Sequence, residues 1–208
     1  DRDVTLTASE PIVWGLDVAR YGGDNSALCI RQGNTVLDIQ TFNSMDLMQL
    51  CGAVKNKYDD CTALERPQEI LIDVIGLGSG VVDRLSEQNL PVRGINVAES
   101  PSTKNNYLNL RAELWFAIKD WLAQRDCRLP NDDELVSELA APSYKYTSTG
   151  KIKLESKEEM RKRGIKSPDK ADALALTMAS SAASFGGSVN YLGYNFKKPL
   201  KSRILRVG

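Results

Sequence analysis

Pro11-Ile12-Val13-Trp14-Gly15-Leu16-Asp17-Val18 is a mostly apolar run that closes on a carboxylate, and it reads as a strand. Downstream, Tyr21-Gly22-Gly23-Asp24-Asn25 has turn chemistry and residues 26–31 resume a strand. Gln32-Gly33-Asn34 is a second tight turn before another strand over 35–42. Three strands joined by short turns make an antiparallel meander. Ser44 is then the candidate cap of a helix carrying Leu47, Leu50, Val54 and Tyr58.

A second unit follows. Glu69-Ile70-Leu71-Ile72-Asp73-Val74 is short and nearly all apolar, as a central buried strand requires. Gly76-Leu77-Gly78-Ser79-Gly80 opens a helix bearing Val81, Val82 and Leu85, and residues 92–97 can form another strand, giving a β-α-β unit. A long helix is expected over 106–124, with Leu110, Leu114, Ile118, Trp121 and Leu122 on its apolar side. Tyr144-Lys145-Tyr146 and Lys151-Ile152-Lys153-Leu154 flank a Thr-Ser-Thr-Gly turn and predict a hairpin with one basic face. Ser167-Pro168-Asp169 is a helix start, with Ser as cap and Pro at the first helical position, and that helix is expected to reach about residue 184. The order is mixed α/β: residues 11–184 form one domain, 1–10 read as a linker and 185–208 as a basic tail.

Composition narrows the chemistry. The 208 residues include no histidine and four cysteines. That excludes Ser-His-Asp and Cys-His nucleophile pairs, imidazole bases and His metal ligands. The cysteines at 29, 51, 61 and 127 have no CxxC spacing, so zinc-finger chemistry is out, and they read as reduced core residues of an intracellular protein. No apolar run approaches the roughly 18–20 residues of a membrane span. Net charge is zero, with 27 basic and 27 acidic residues. The balance hides an acidic surplus of eight through residue 150 and an equal basic surplus over 151–208. That asymmetry suits either a solvated C-terminal helix and tail or a basic surface for a polyanion.

Three acids stand where structure alone does not want them. Asp17 and Asp73 end strongly apolar strands, where an unpaired buried charge costs several kcal/mol. The C-terminal ends of strands are also where ligands bind in open α/β sheets. In the last helix, Asp172 lies on the shoulder of the face formed by Ala171, Leu174, Ala175 and Met178, with Asp169 about 60° further round. Asp169 has a ready structural role at the helix start; Asp172 has less excuse, and ranks above it. Carboxylates facing one another need a proton or cation between them. An all-oxygen set without histidine suits Mg²⁺ or Mn²⁺, and two such ions about 3.5–4 Å apart can drive phosphodiester cleavage.

Four motifs then occur in order: Gly15-Leu16-Asp17-Val18-Ala19-Arg20 with Asp24, Ser26 and Ala27; Ile72-Asp73 with Gly76 and Gly78; Arg111-Ala112-Glu113-Leu114-Trp115; and Ser167-Pro168-Asp169 with Ala171-Asp172-Ala173-Leu174. Over residues 11–183 the chain resembles the C-terminal nuclease domain of the large terminase subunit of tailed bacteriophages. The resemblance implies a ribonuclease H-like fold, a five-stranded mixed sheet flanked by helices. It also implies metal-dependent endonuclease action on double-stranded concatemeric viral DNA before and after headful packaging. Carried over by position, Asp17, Asp73 and Asp172 would hold two Mg²⁺ or Mn²⁺ ions with Asp169 accessory. Asp24 matches a recurrent family acid and equally suits a hairpin turn. The resemblance further implies an N-terminal ATPase domain in the same polypeptide, a small terminase subunit and a portal protein as partners, and the cytoplasm of an infected bacterium as location. The lack of a starting methionine fits a domain cut from a longer chain, and no P-loop motif occurs here.

Candidate phosphate contacts are Lys151, Lys153, Lys157, Arg161, Lys162, Arg163, Lys166 and Lys170, which equally suit a solvated helix face with Glu155, Glu158 and Glu159 as partners. Phosphate contacts need charge rather than base reading, as suits cutting with little sequence preference. The tail could touch DNA, the portal or another packaging protein. Three rival readings stay open: an actin-like or sugar-kinase-type nucleotide-binding phosphotransferase, a non-catalytic packaging-assembly module, and another nuclease or resolvase of the same fold. Against the first, Gly76-x-Gly78-x-Gly80 lacks the GxGxxG spacing of a dinucleotide loop.

Overall fold

The computed structural model describes residues 10–19 and 25–180. Asp24, the first nine residues and the tail from residue 185 lie outside them. Seven strands and six helices follow in the described chain: β1 (Ile12–Asp17), β2 (Ser26–Gln32), β3 (Thr35–Phe42), α1 (Leu47–Asp60), β4 (Glu69–Asp73), α2 (Gly78–Glu87), β5 (Val92–Ile95), α3 (Leu110–Ala123), α4 (Asp133–Ala140), β6 (Tyr144–Tyr146), β7 (Ile152–Leu154), α5 (Lys157–Lys162) and α6 (Asp169–Thr177). The main sheet runs β3-β2-β1-β4-β5. β1 pairs antiparallel with β2 and parallel with β4; β2–β3 is antiparallel and β4–β5 parallel. The meander and the parallel unit therefore meet at β1, with the expected hairpin standing apart as β6-β7.

Alternation along the strands builds two cores. Trp14, Leu16, Leu28, Ile30, Ile70 and Ile72 face α1 and α2. Ala27, Cys29, Leu71 and Ile95 face α3, α4 and α6. β1 is buried along its whole length, which is why its sequence is apolar at odd and even positions alike. Gly15 points at α6: a Cβ there would stand 2.1 Å from the Ala173 carbonyl oxygen. The missing side chain lets the helix lie against the strand. Arg31, fully buried, fixes the other end of α6, donating from Nε to Thr177 Oγ1 at 2.9 Å and from NH2 to the Thr177 carbonyl at 2.8 Å.

Element boundaries shift where tertiary bonds compete with local signals. Asp46, not Ser44, caps α1, in a reciprocal capping box with Gln49, while Ser44 takes a left-handed φ of 54°. The long helix starts at Leu110 under the Asn109 cap instead of at 106. Residues 106–108 are held by β7 instead, through Ile152 N to the Asn106 carbonyl and Leu108 N to the Ile152 carbonyl, both 2.8 Å. Pro168 takes the cap position expected of Ser167, whose hydroxyl is buried without a hydrogen-bond partner. α6 closes at Thr177 rather than near 184, since its last carbonyls turn to Arg31 and, at Ala179, to Arg93 at 2.7 Å. α4, capped by Asp132, was not read from the sequence.

Two glycines should respond oppositely to alanine. Gly15→Ala forces α6 off β1 and is expected to cost about 1–3 kcal/mol, a drop of several degrees in Tm. Gly52, inside α1 with nothing within 4 Å of an added Cβ, should gain about 0.5–1 kcal/mol. Thermal melts of both variants check the pair.

Candidate active site

The parallel register places Leu16 opposite Ile72, so Asp17 and Asp73 come next, side by side at the C-terminal ends of β1 and β4. Both share the side-chain face of Gly15 and Leu71, the face covered by α6. Asp169 and Asp172 lie three residues apart in the first turn of α6, on one side of it. The packing of α6 on β1 at Gly15 therefore sets the helix carboxylates against the strand carboxylates. All four line a cleft of about 500 Å³ together with Arg111 and Lys157.

Lys157, the first residue of α5, occupies the middle of the acids. Its Nζ is 3.0 Å from Asp17 Oδ2, 3.1 Å from Asp172 Oδ2 and 3.9 Å from Asp169 Oδ1. Asp172 Oδ1 turns away from the lysine, accepting from Trp115 Nε1 at 2.7 Å and from Arg111 NH2 at 3.1 Å. Arg111 also donates to the Glu155 carbonyl at 2.8 Å, tying α3 to the chain just past β7. Asp169 Oδ2 accepts from Asn25 N at 3.0 Å. Asp73 stands at the edge, its Oδ1 accepting from Ile75 N at 3.1 Å, and Gly78 is pressed against its backbone, 1.7 Å from its carbonyl oxygen to a would-be Cβ.

Burial and charge pull these groups apart. Burial pushes Asp17 up to about 7 against the lowering influence of Lys157, with Asp172 and Asp169 adding to the rise. Burial would raise Asp172 too, but Arg111, Lys157 and the Trp115 indole outweigh it and hold its carboxyl below the ordinary value. Burial alone would lower Lys157; Asp172, Asp17 and Asp169 together raise it, so it stays an ammonium. Asp73 is raised by burial, opposed by the amide hydrogen bonds of Ile75 and Val97. Removing the ammonium would strand buried carboxylates without their shared counter-charge, a costly arrangement.

The sequence-derived set is thus brought together at Asp17, Asp73, Asp169 and Asp172. Among the cations expected on the surface, Lys157 is turned into the acids. Lys170 binds Asp132 at 2.7 Å and Glu134 at 2.6 Å, and Arg163 ties Glu155 to the Ala141 carbonyl. Those three already neutralise or bridge internal groups. Lys151 and Lys153 lie on the half-buried β7 side of the hairpin, and Arg161, Lys162 and Lys166 are exposed. Arg111 and Trp115, one turn apart in the third motif, are revealed by the structure as N–H donors to Asp172, a role the sequence did not assign. Glu138 of α4 had no signal in the sequence. It accepts from Ala171 N at 2.9 Å, and burial, helped by Asp169 and Glu134, pushes it up to about 7.

Comparison with known proteins matches the fold. No family model matches the sequence, and no curated protein does. Among solved structures, a singly substituted nuclease domain of the large terminase subunit of bacterial virus Sf6, with manganese and beta-thujaplicinol, superposes with a TM-score of 0.72 at 23% identity, covering 83% of this chain and 89% of that one. The large terminase nuclease of thermophilic phage G20c with bound magnesium gives 0.62 at 15% identity over 83% and 82%. The nuclease domain of Thermus phage P74-26 gives 0.61 at 14% over 83% and 80%. The resemblance read from the four motifs is borne out in the fold: a ribonuclease H-like mixed sheet shared with phage large-terminase nuclease domains. No helix among the described residues is long and apolar enough to cross a membrane.

Glu138 makes stability depend on pH. The unfolded chain releases its proton near 4.5 and the folded chain near 7, so its contribution is whole below 4.5 and lost as pH rises through 7. Glu138→Gln keeps the acceptor for Ala171 N but does not titrate. The wild-type Tm should fall relative to that of Glu138→Gln between pH 4.5 and pH 7; a constant gap would overturn the assignment.

Proposed function

We propose that the chain is the nuclease domain of a phage large terminase subunit, a divalent-metal-dependent endonuclease that cuts double-stranded concatemeric DNA during genome packaging. The observation that carries this reading is the convergence of strand and helix carboxylates around one cation at the C-terminal ends of β1 and β4, in a fold whose solved neighbours are phage terminase nucleases. The manganese and magnesium named with those neighbours support the same class of ion here.

The donor set fits such ions in kind: four carboxylates, oxygen only, at a place already shaped for positive charge. Its present spacing is that of an ammonium. Among the described residues no three carboxylates or thiolates are closed to metal spacing, and Lys157 holds the centre. Asp17, Asp73 and Asp172 would be the ligands with Asp169 beside them, once Lys157 withdraws towards the cleft mouth. Held there, two Mg²⁺ or Mn²⁺ ions would supply an activated water and a counter-charge for the leaving oxygen of phosphodiester hydrolysis. Arg111 and Trp115 orient Asp172, both donating to Oδ1, with Arg111 also 3.4 Å from the Oδ2 that faces Lys157. Lys151, Lys153, Arg161, Lys162 and Lys166 are placed to contact phosphates without reading bases. Gly78 is accounted for by packing against the Asp73 carbonyl and Gly76 by its left-handed φ of 77°, so these two glycines need no phosphate loop to account for them. In this reading the chain works beside an ATPase domain, a small terminase subunit and a portal in the bacterial cytoplasm.

A supercoiled-plasmid assay tests it. Cutting should require Mg²⁺ or Mn²⁺, stop with EDTA and be lost in Asp73→Asn with the fold intact by circular dichroism; wild-type rates in Asp73→Asn would sink the site. Lys157→Ala should lower Tm without metal and enlarge the stabilisation by Mn²⁺, because ion and ammonium compete for one place. An Mn²⁺ shift no larger than wild type would separate Lys157 from the ion site.

A further inference from the structure

β6 and β7 pair Tyr144 with Leu154, Lys145 with Lys153 and Tyr146 with Ile152. Alternation then puts both tyrosines, Ile152 and Leu154 on one face and the two lysines on the other. A two-stranded ribbon is marginal in water by itself. Here the apolar face is backed by α3 and by the segment before it, and the aromatic rings form a row. Ring centroids are 5.5 Å apart from Tyr107 to Phe116, 5.1 Å from Phe116 to Tyr144 and 6.1 Å from Tyr144 to Tyr146, the last two contacts edge-to-face. The row runs outward from the body, ending with Tyr144 49% and Tyr146 66% exposed. Backbone bonds from Ile152 and Leu108 hold its base, and each ring is braced by the one before it.

Cations lie near the outer part of this surface, while Asp120 and Glu113 act on Tyr107 at its base. Lys119 Nζ lies 5.0 Å over the Phe116 ring. On the opposite face Lys145 and Lys153 share one carboxylate, Glu159, at 3.3 and 4.0 Å, and Lys151 adds a further cation at the start of β7. The hairpin also borders the acidic cleft: Leu154, on the aromatic face, and Lys153, on the other, both line that cleft, and Arg111 joins the chain just beyond β7 to Asp172.

We propose that the aromatic face of the hairpin is a stacking platform for unpaired bases of the DNA strand at the cleft, a reading that rests on the nuclease function above. Tyrosine rings offer large flat apolar area at small entropic cost. Stacking accepts any base, so it adds grip without sequence preference, while Lys119 beside the row is placed to meet the backbone. In duplex DNA base faces are covered everywhere except at ends. The platform therefore favours opened, frayed or single-stranded DNA next to the cut, whereas the basic residues beyond it serve duplex phosphates.

Binding is measured on the full chain in EDTA, so that cleavage plays no part, using a 2-aminopurine-labelled single-stranded oligonucleotide and the blunt duplex of the same sequence. Replacing both Tyr144 and Tyr146 with Leu should weaken single-strand binding by about ten-fold or more and change duplex binding less than about two-fold. Replacing both with Phe keeps the rings and should restore binding and fluorophore stacking. Unchanged single-strand affinity in the Leu pair, an equal loss on both DNAs, or failure of the Phe pair to rescue would overturn the platform, as would wild-type protein that ignores single strands. Matching melts of the Leu and Phe pairs separate this from unfolding. Ring-dependent single-strand binding in a chain that never cuts plasmid would leave the platform standing and remove the nuclease reading; cutting that needs Asp73 with no ring dependence would do the reverse.

Discussion

The approach of α6 to the centre of the sheet is the constraint on which the remaining structure depends. It needs three things together: no side chain at Gly15, a helix face of Ala171, Leu174 and Ala175 small enough to enter, and a buried guanidinium at Arg31 to take the helix's closing carbonyl. With those in place, a helix of nine residues brings two carboxylates to the ends of β1 and β4. Glycine is costly in a strand interior, and a fully buried arginine is costly in any core. Both become intelligible once the helix they position is seen to carry half of the acid cluster.

Electrostatics then divides four chemically identical side chains. Asp172 has an arginine, an indole and a lysine around it and stays ionised below the usual range. Asp17, equally buried but facing Lys157 without the arginine and indole that hold Asp172, keeps its proton up to about 7. Between them sits an ammonium that could hardly remain charged at that depth without its carboxylates. The site is thus balanced around a positive centre supplied by the protein itself.

The cleft and the hairpin are joined through Arg111, which bridges Asp172 and the Glu155 carbonyl. That single side chain couples the geometry of the acids to the position of β7, and through β7 to the exposed tyrosines. The hairpin is small, but it is neither isolated nor passive: residues 106–108 give up a helical turn to pair with it. Tyr107 and Phe116 pack against each other beside it, ring centroids 5.5 Å apart.

Much of this was legible in the chain itself, because strand and helix periodicity, turn residues and caps act over a few neighbouring positions. The meander, the β-α-β unit, the hairpin and the end-of-strand placement of Asp17 and Asp73 all follow from such local patterns, as does the pairing of Asp169 with Asp172 on one helical turn. What local patterns do not encode is the choice of partner for a long charged side chain. Lys157 reads as a surface cation among other cations; it meets Asp17 from 140 residues away. Arg111 reads as one member of a helix and finds Asp172 at a separation of 61. The helix starts at Leu110 and Asp169 moved for the same reason, since bonds from β7 and burial of Ser167 overrode the nearest cap signals. Periodicity determined the elements and the faces they bury, whereas only three-dimensional packing decided which charge each acid would face, since that energy depends on burial and distance between segments far apart in the chain.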